Sequence, residues 1–141
     1  RRTRRDGLRD TVAGLRVQPI LAVVAVGKAK GASELLSDAL DVLDGYGVPT
    51  VIAPRSEVVR FATGSSRQGV MSLLAPLVHC WPDQHPWPPG EVGHGGPVAP
   101  IAACLGVAAL GGTQPIPSSP GRDRALASVT WPTPLPLIDH R

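Results

Sequence analysis

The sequence has little of several residue types, and each shortage excludes a class of protein. Among its 141 residues are three tryptophans, one tyrosine, one phenylalanine, one methionine and two cysteines. Two cysteines cannot build a disulfide scaffold, so we expect a reducing compartment and assign the chain to the cytoplasm. No apolar run approaches the roughly 20 residues that a membrane helix needs. The longest run, 20–26, has the length of a strand, and no membrane partner is predicted.

Proline and charge divide the chain into two parts. Thirteen of the 16 prolines lie from residue 76 onward, and residues 71–141 carry only seven charged side chains. Residues 1–30, in contrast, hold eight basic and two acidic side chains, a local charge of +6 within a total of +3. A polyanion would therefore meet the N-terminal end first. Because no initiator methionine or signal peptide is present, we interpret the sequence as a fragment or a processed form.

The first half alternates helical and extended patterns, which is typical of an α/β fold. A weak helical pattern over 8–15 precedes the apolar run 20–26, and a helix from Ser33 to Gly45 leads to a second strand over 48–53. Ser33 has the side chain of an N-cap and Gly45 of a C-terminal stop. A short helix from Ser56 to Gly64 and a third strand over 69–75 complete the prediction, with the strands mostly parallel.

The second half is less regular. Residues 79–89 contain Trp-Pro and Trp-Pro-Pro sequences, which favour extended or polyproline backbone and exclude a helix. A helix is predicted over 101–110 because Ile101 and Leu105 share one face, and Gly111 and Gly112 stop it. Residues 124–129 are predicted to form a helical turn before an extended proline-rich tail.

A family resemblance lies between Leu35 and Pro76. This segment reads LLSDALDVLDGYGVPTVIAPRSEVVRFATGSSRQGVMSLLAP. It resembles the end of the substrate-binding domain of SpoU/TrmH-type RNA ribose 2′-O-methyltransferases, where a helix leads to a GVP strand, a short helix and a strand opened by HQGV. Arg67-Gln68-Gly69-Val70 stands in the last position, with Arg for His. The resemblance implies an L30e-like, three-layer α/β domain over residues 1–76.

A second resemblance lies downstream of a Pro/Trp-rich linker over 77–90. The stretch EVGHGGPVAPIAACLGV, residues 91–107, is similar to the motif D-P-G-N-x-G-A-x-x-R-T-A-x-x-x-G-V that opens the family's knotted SPOUT domain. RALASVTWPTPLPLI, residues 124–138, resembles a later segment. The resemblance implies an incomplete SPOUT (α/β knot) domain over 91–141.

The catalytic positions of that motif have changed. Its Asn falls on His94 and its Arg on Pro100, and proline supplies neither the charge nor the hydrogen-bond donor of arginine. The resemblance implies S-adenosylmethionine as cofactor, but the motifs that would hold it fall beyond Arg141. We therefore predict no retained catalytic residue, no cofactor binding by this chain alone and no methyl transfer.

The function implied is the RNA-binding portion of an S-adenosylmethionine-dependent tRNA or rRNA ribose 2′-O-methyltransferase, dimeric where the SPOUT domain is complete. Phosphate contacts need cationic side chains, and three arginines flank the second and third predicted strands, where one sheet edge would present them together. The arginine-rich N-terminus adds a basic arm. The predicted RNA-binding residues are Arg1, Arg2, Arg4, Arg5, Arg55, Arg60, Arg67 and Gln68.

Two other functions stay open. The chain could be a non-catalytic L30e-like RNA-binding module whose core ends near Pro76 and whose remainder is a flexible tail. It could also be a small α/β domain with no RNA partner, whose arginines are only solvated. Proteolysis distinguishes a module with a flexible tail from a chain with a residual second domain. The salt dependence of RNA binding distinguishes an RNA-binding chain from a domain with no RNA partner.

Three further patterns carry less weight. The loop 27–31 joins a strand to a helix and holds two lysines, but it lacks the Walker and G-x-G-x-x-G spacings, so it is interpreted as a plain loop. Trp81 and Trp87 could stack on bases, although packing explains them as well. No metal is predicted, because the histidines and cysteines at 79, 80, 85, 94 and 104 match no zinc-ligand spacing.

Overall fold

The computed structural model describes residues 4–15, 19–27, 32–83 and 96–135, in which helices predominate over a small parallel sheet. The elements in chain order are α1 (Arg4–Ala13), β1 (Ala22–Val26), α2 (Ala32–Gly45), β2 (Thr50–Pro54), α3 (Arg55–Thr63), a 3-10 helix (Val70–Leu73), α4 (Leu74–Cys80), α5 (Val98–Ala109) and α6 (Pro120–Ser128). The α/β class is therefore confirmed. No helix within these ranges combines the length and the apolar composition that a membrane crossing requires.

The sheet consists of β1 and β2, which pair in parallel with α2 between them in sequence. The register runs from Ala22 opposite Thr50 to Val26 opposite Pro54. The chain turns out of α2 at Gly47, whose φ is +70°, while Val48 donates its N–H to the Leu43 carbonyl at 3.0 Å. The left-handed residue is thus two positions after the predicted stop at Gly45, because α2 ends in a turn before it reverses. The side chain of the predicted cap, Ser33, lies outside the described residues.

The predicted third strand is wrong. The run 69–75 forms the 3-10 helix and the start of α4, and the sheet of the described residues has two strands. Leu73 and Leu77, four residues apart, are 0% and 3% exposed, so the apolar run buries a helical face. Pro76 is the third residue of α4, where a helix leaves its N–H unpaired and proline costs little.

The helix also extends into the predicted linker. Residues 77–80 belong to α4, so the exclusion of a helix over 79–89 is wrong at its first two positions. Trp81 follows the last helical residue, and the proline after it disfavours a helical Trp81. Residues 84–90 lie outside the described ranges.

The remaining helices agree with the sequence in position, with small shifts at their starts. α3 ends at Gly64, whose φ is +87°, as predicted, and it starts one residue earlier than expected, at Arg55. α5 begins three residues before the predicted helix and ends at Ala109, one residue before its predicted end. α6 begins four residues before the predicted turn, because Ser119 caps it by accepting the Arg122 N–H at 3.0 Å.

One cluster of buried side chains joins most of these elements, with α3 against α5 and α6, and α5 against β1. Its largest fully buried members are Phe61, Leu73, Ile101 and Leu105. The other buried members are Val51, Ala53, Val58, Val59, Leu77, Val98, Ala102, Cys104, Ile116, Ala125 and Val129. The cluster therefore contains side chains from all three predicted parts of the chain, 1–76, 77–90 and 91–141. The division into domains at these limits stays a prediction.

Candidate nucleic-acid interface

The carboxyl ends of the two parallel strands lie side by side and bring Arg55 against Gly27. Val26 and Pro54 are register partners, and Gly27 and Arg55 are the residues that follow them. A Cβ on Gly27 would be 2.9 Å from the Cζ of Arg55 and 3.2 Å from its Nε. The guanidinium thus lies directly on the Gly27 backbone, at the sheet edge where open α/β sheets usually bind ligands.

The Arg55 guanidinium has no partner within the described residues. Its Nε is buried, and no hydrogen bond or ion pair satisfies it. The nearest carboxylate in sequence, Glu57, lies 3.3 Å from Arg60 and accepts the Ser128 hydroxyl at 2.8 Å. A desolvated donor without an acceptor costs about 1–3 kcal/mol, so a positive charge held in this way favours an anion.

The start of α3 contributes to the same edge. Its N-cap is Pro54, and no side chain caps the helix. The first N–H groups of a helix have no intrahelical acceptor, and the aligned peptide dipoles make that end positive. The uncapped helix end and Arg55, its first residue, therefore favour an oxyanion of the phosphate type.

Arg122 provides an internal comparison. Its Nε is also buried without a partner, but its NH1 donates to the Ile116 carbonyl at 3.2 Å and to the Ser118 hydroxyl at 3.1 Å. Its Cζ lies 5.8 Å from the centroid of the Phe61 ring. Arg122 therefore helps to pack α6 against α3, whereas Arg55 makes no hydrogen bond or ion pair within the described residues.

The other predicted arginines of this region lie elsewhere. Arg60 is in the last turn of α3, paired with Glu57, and donates to the Ser66 hydroxyl at 3.0 Å. Arg67 and Gln68 are exposed in the following loop. The prediction that Arg55, Arg60 and Arg67 share one sheet edge is wrong, because it depended on the third strand, and 69–75 is helical. Arg55 begins α3, whereas Arg60 lies in its last turn and Arg67 follows it. The helix is about 13 Å long.

The N-terminal basic arm is partly neutralised. The Nε of Arg5 lies 2.7 Å from Asp38, and its NH2 lies 2.8 Å from Asp41. The hydrogen bond to Asp38 and the charge of both carboxylates raise the pKa of Arg5. Arg4 is the first residue of α1, and Arg1 and Arg2 lie outside the described residues. Arg5 must therefore leave two aspartates before it can bind a phosphate.

The methyltransferase motif lies only partly within the described residues. Pro100 is the third residue of α5, and His94 lies outside the described residues. The groove beside α5, about 360 Å³ in volume, is lined mainly by apolar side chains of α5, of β1 and of the segment before β1, such as Val107, Val23 and Leu21. S-adenosylmethionine carries an ammonium, a carboxylate and ribose hydroxyls, which need polar partners, so the groove does not fit it.

Three of the five residues considered for zinc lie within the described residues. No group of three His, Cys, Asp or Glu side chains that could hold a metal occurs in the ranges described. His79 is exposed on α4, Cys80 is partly buried and Cys104 is buried, while His85 and His94 lie outside the described residues.

Comparison with protein-family models, curated proteins and solved structures finds no match to this chain. The unpaired arginine at the carboxyl edge of the sheet is the feature with the clearest chemical consequence, since a guanidinium forms bidentate hydrogen bonds with phosphate oxygens.

Proposed function

We propose that this chain binds RNA through its phosphate backbone, with Arg55 as the principal contact. The supporting observation is the Arg55 guanidinium, partly buried at the carboxyl edge of β1 and β2 without an acidic partner. Partial burial orients the group and reduces its hydration, so less conformational entropy is lost when a phosphate binds. The exposed Arg67 and Gln68 at the other end of α3 contact a different phosphate.

The enzyme from which this unit derives is an S-adenosylmethionine-dependent RNA ribose 2′-O-methyltransferase, by its resemblance to the SpoU/TrmH family. The order β1, α2, β2, α3 supports this derivation, while the strand that the resemblance implies over 69–75 is helical in this chain. The substrate is structured RNA of the tRNA or rRNA type, and a complete SPOUT domain would make the protein a homodimer. Pro100 favours the first of the two functions left open by the sequence, a non-catalytic RNA-binding module.

Arg55→Gln should weaken the binding of a structured rRNA fragment about tenfold, because it removes one charge-assisted contact. It should also lower the slope of log affinity against log salt by about one. Fluorescence anisotropy over a salt series measures both quantities. Arg124→Gln is the matched control, since Arg124 is an exposed arginine of α6 whose loss removes the same charge.

Equal losses in the two variants would mean that net charge alone attracts the RNA, and the assignment of Arg55 would be wrong. A chain that binds a DNA hairpin as well as the RNA, weakly and only at low salt, would instead support the small α/β domain without an RNA function.

We expect no methyl transfer by this chain. Isotope-labelled S-adenosylmethionine, incubated with the chain and bulk rRNA or tRNA, should leave the RNA unlabelled, and calorimetry should detect no cofactor binding. The physical reason is the apolar lining of the groove beside α5 and the proline at the motif's Arg position. Labelled RNA would overturn this expectation without affecting the role of Arg55.

A further inference from the structure

The N-terminal helix α1 contacts α2 through ion pairs at the protein surface. The Nε of Arg5 lies 2.7 Å from a carboxylate oxygen of Asp38, and its NH2 lies 2.8 Å from one of Asp41. Among residues 5–13, whose burial the structure describes, none is buried, and none belongs to the hydrophobic cluster of the core. Packing on that core therefore does not hold α1 in place.

The two helices carry opposite charge. Residues 1–13 contain five arginines and two aspartates, whereas α2 contains four carboxylates and no lysine or arginine. Asp38 and Asp41 are three residues apart, so they lie on one face of α2, where a single guanidinium binds both. For Arg5, these carboxylates occupy the place of the phosphates that a polyanion would supply.

We propose that α2 inhibits RNA binding by the basic N-terminus, because its carboxylates hold α1 until RNA phosphates replace them. The chain then has two states, with α1 docked on α2 or released from it, and only the released state presents Arg5 to RNA. This inference rests on the proposed function and adds its regulation by an acidic helix of the same chain.

The strength of the contact suits such a competition. The side chains of Arg5, Asp38 and Asp41 are 45%, 21% and 57% exposed. Ion pairs at this exposure are weak and are screened by salt. Two of them favour the docked helix by about fivefold. A polyanion with many phosphates can therefore displace the two aspartates.

Release of α1 is measurable without RNA. α1 has ten residues, and an isolated helix of this length is marginal in water. A released α1 should therefore lose the protection of its amides against hydrogen exchange, while the amides of the core helices keep theirs. Added salt should produce the same selective loss, because it screens the ion pairs with α2.

The test compares the native full chain with the double variant Asp38→Asn/Asp41→Asn, which removes both charges that face Arg5 and keeps the side-chain shapes. The double variant should bind a structured rRNA fragment about fivefold more tightly, since the binding-competent state is no longer a minor one. Its α1 amides should exchange about fivefold faster. Fluorescence anisotropy and hydrogen exchange with mass spectrometry measure the two quantities.

Two comparisons separate the release of α1 from a change in net charge. Asp83→Asn/Asp123→Asn removes two exposed carboxylates outside α2, so it should raise the affinity less than about twofold and leave the exchange of α1 unchanged. Arg5→Gln should cost about fivefold more affinity in the Asp38→Asn/Asp41→Asn chain than in the native chain, because only there is the guanidinium released for a phosphate.

An equal gain in affinity in both double variants would overturn the proposal, since net charge would then account for it. Unchanged exchange of α1 in Asp38→Asn/Asp41→Asn would also overturn it, because the ion pairs would not hold the helix. RNA binding that depends on Arg55 but gains nothing in that variant would overturn this inference alone, whereas a lack of RNA binding in every chain would overturn the proposed function as well. Native exchange of the amides of α3 and α5 verifies that each variant folds.

Discussion

Leu105→Ala is expected to lower the free energy of unfolding by about 3 kcal/mol. The protection of backbone amides against hydrogen exchange should fall in both halves of the chain together. Leu105 is 0% exposed in α5 and belongs to the cluster that also contains Val51 of β2 and Phe61 of α3. Truncating it removes buried methyl groups and leaves a cavity bordered by elements of both halves. Since single domains of this size usually unfold cooperatively, the loss should appear throughout the cluster.

Denaturant unfolding measures the change in free energy, and hydrogen exchange of β1 and β2 shows whether the first half shares it. Leu35→Ala is the matched control, because Leu35 lies on α2 with 49% of its surface exposed and should change stability by less than about 0.5 kcal/mol. If Leu105→Ala left the exchange of β1 and β2 unchanged, residues 1–76 would fold alone and the second half would be a tail.

The elements that sequence patterns predicted well are those in which local and tertiary preferences agree. β1 and β2 are β-branched apolar runs between turn residues, and α2 carries a clear apolar stripe with Glu34 in its first turn. The end of α3 was fixed by Gly64, since only glycine adopts a positive φ without strain. In these segments, the local sequence is sufficient to predict the secondary structure.

The third strand failed because its pattern is ambiguous. A short apolar run has the composition of a buried strand and of a buried helix alike, and length and flanking residues must decide. Here the run continues past Pro76 into α4, because proline in the first turn of a helix does not end it. The predicted grouping of Arg55, Arg60 and Arg67 at one sheet edge is wrong for the same reason, since it depended on that strand.

The site itself could be predicted only in part. Arg55 was among the predicted RNA-binding residues, but its lack of an acidic partner depends on Glu57, which is held by Arg60 and by Ser128 of α6. Such competition is decided by packing between elements distant in sequence.

Gly121→Ala is expected to cost about 3 kcal/mol, although it adds a single methyl group. Gly121 is buried at the start of α6, where the helix crosses the end of α3. A Cβ at this position would be 2.5 Å from the carbonyl oxygen of Gly64 and 2.7 Å from its carbonyl carbon. Both are backbone atoms, and Gly64 has a left-handed conformation with a φ of +87°. A methyl group at position 121 can therefore fit only if α6 moves away from the end of α3.

Thermal or denaturant unfolding measures this loss, and Gly45→Ala is the control. Gly45 is the last residue of α2, and a Cβ there meets no atom within 4 Å, so alanine should be neutral or slightly stabilising. The separation of α6 from α3 should also break the Ser128–Glu57 hydrogen bond, which leaves Glu57 with its ion pair to Arg60. A Gly121→Ala chain as stable as Gly45→Ala would show that the two helices do not approach through their glycines.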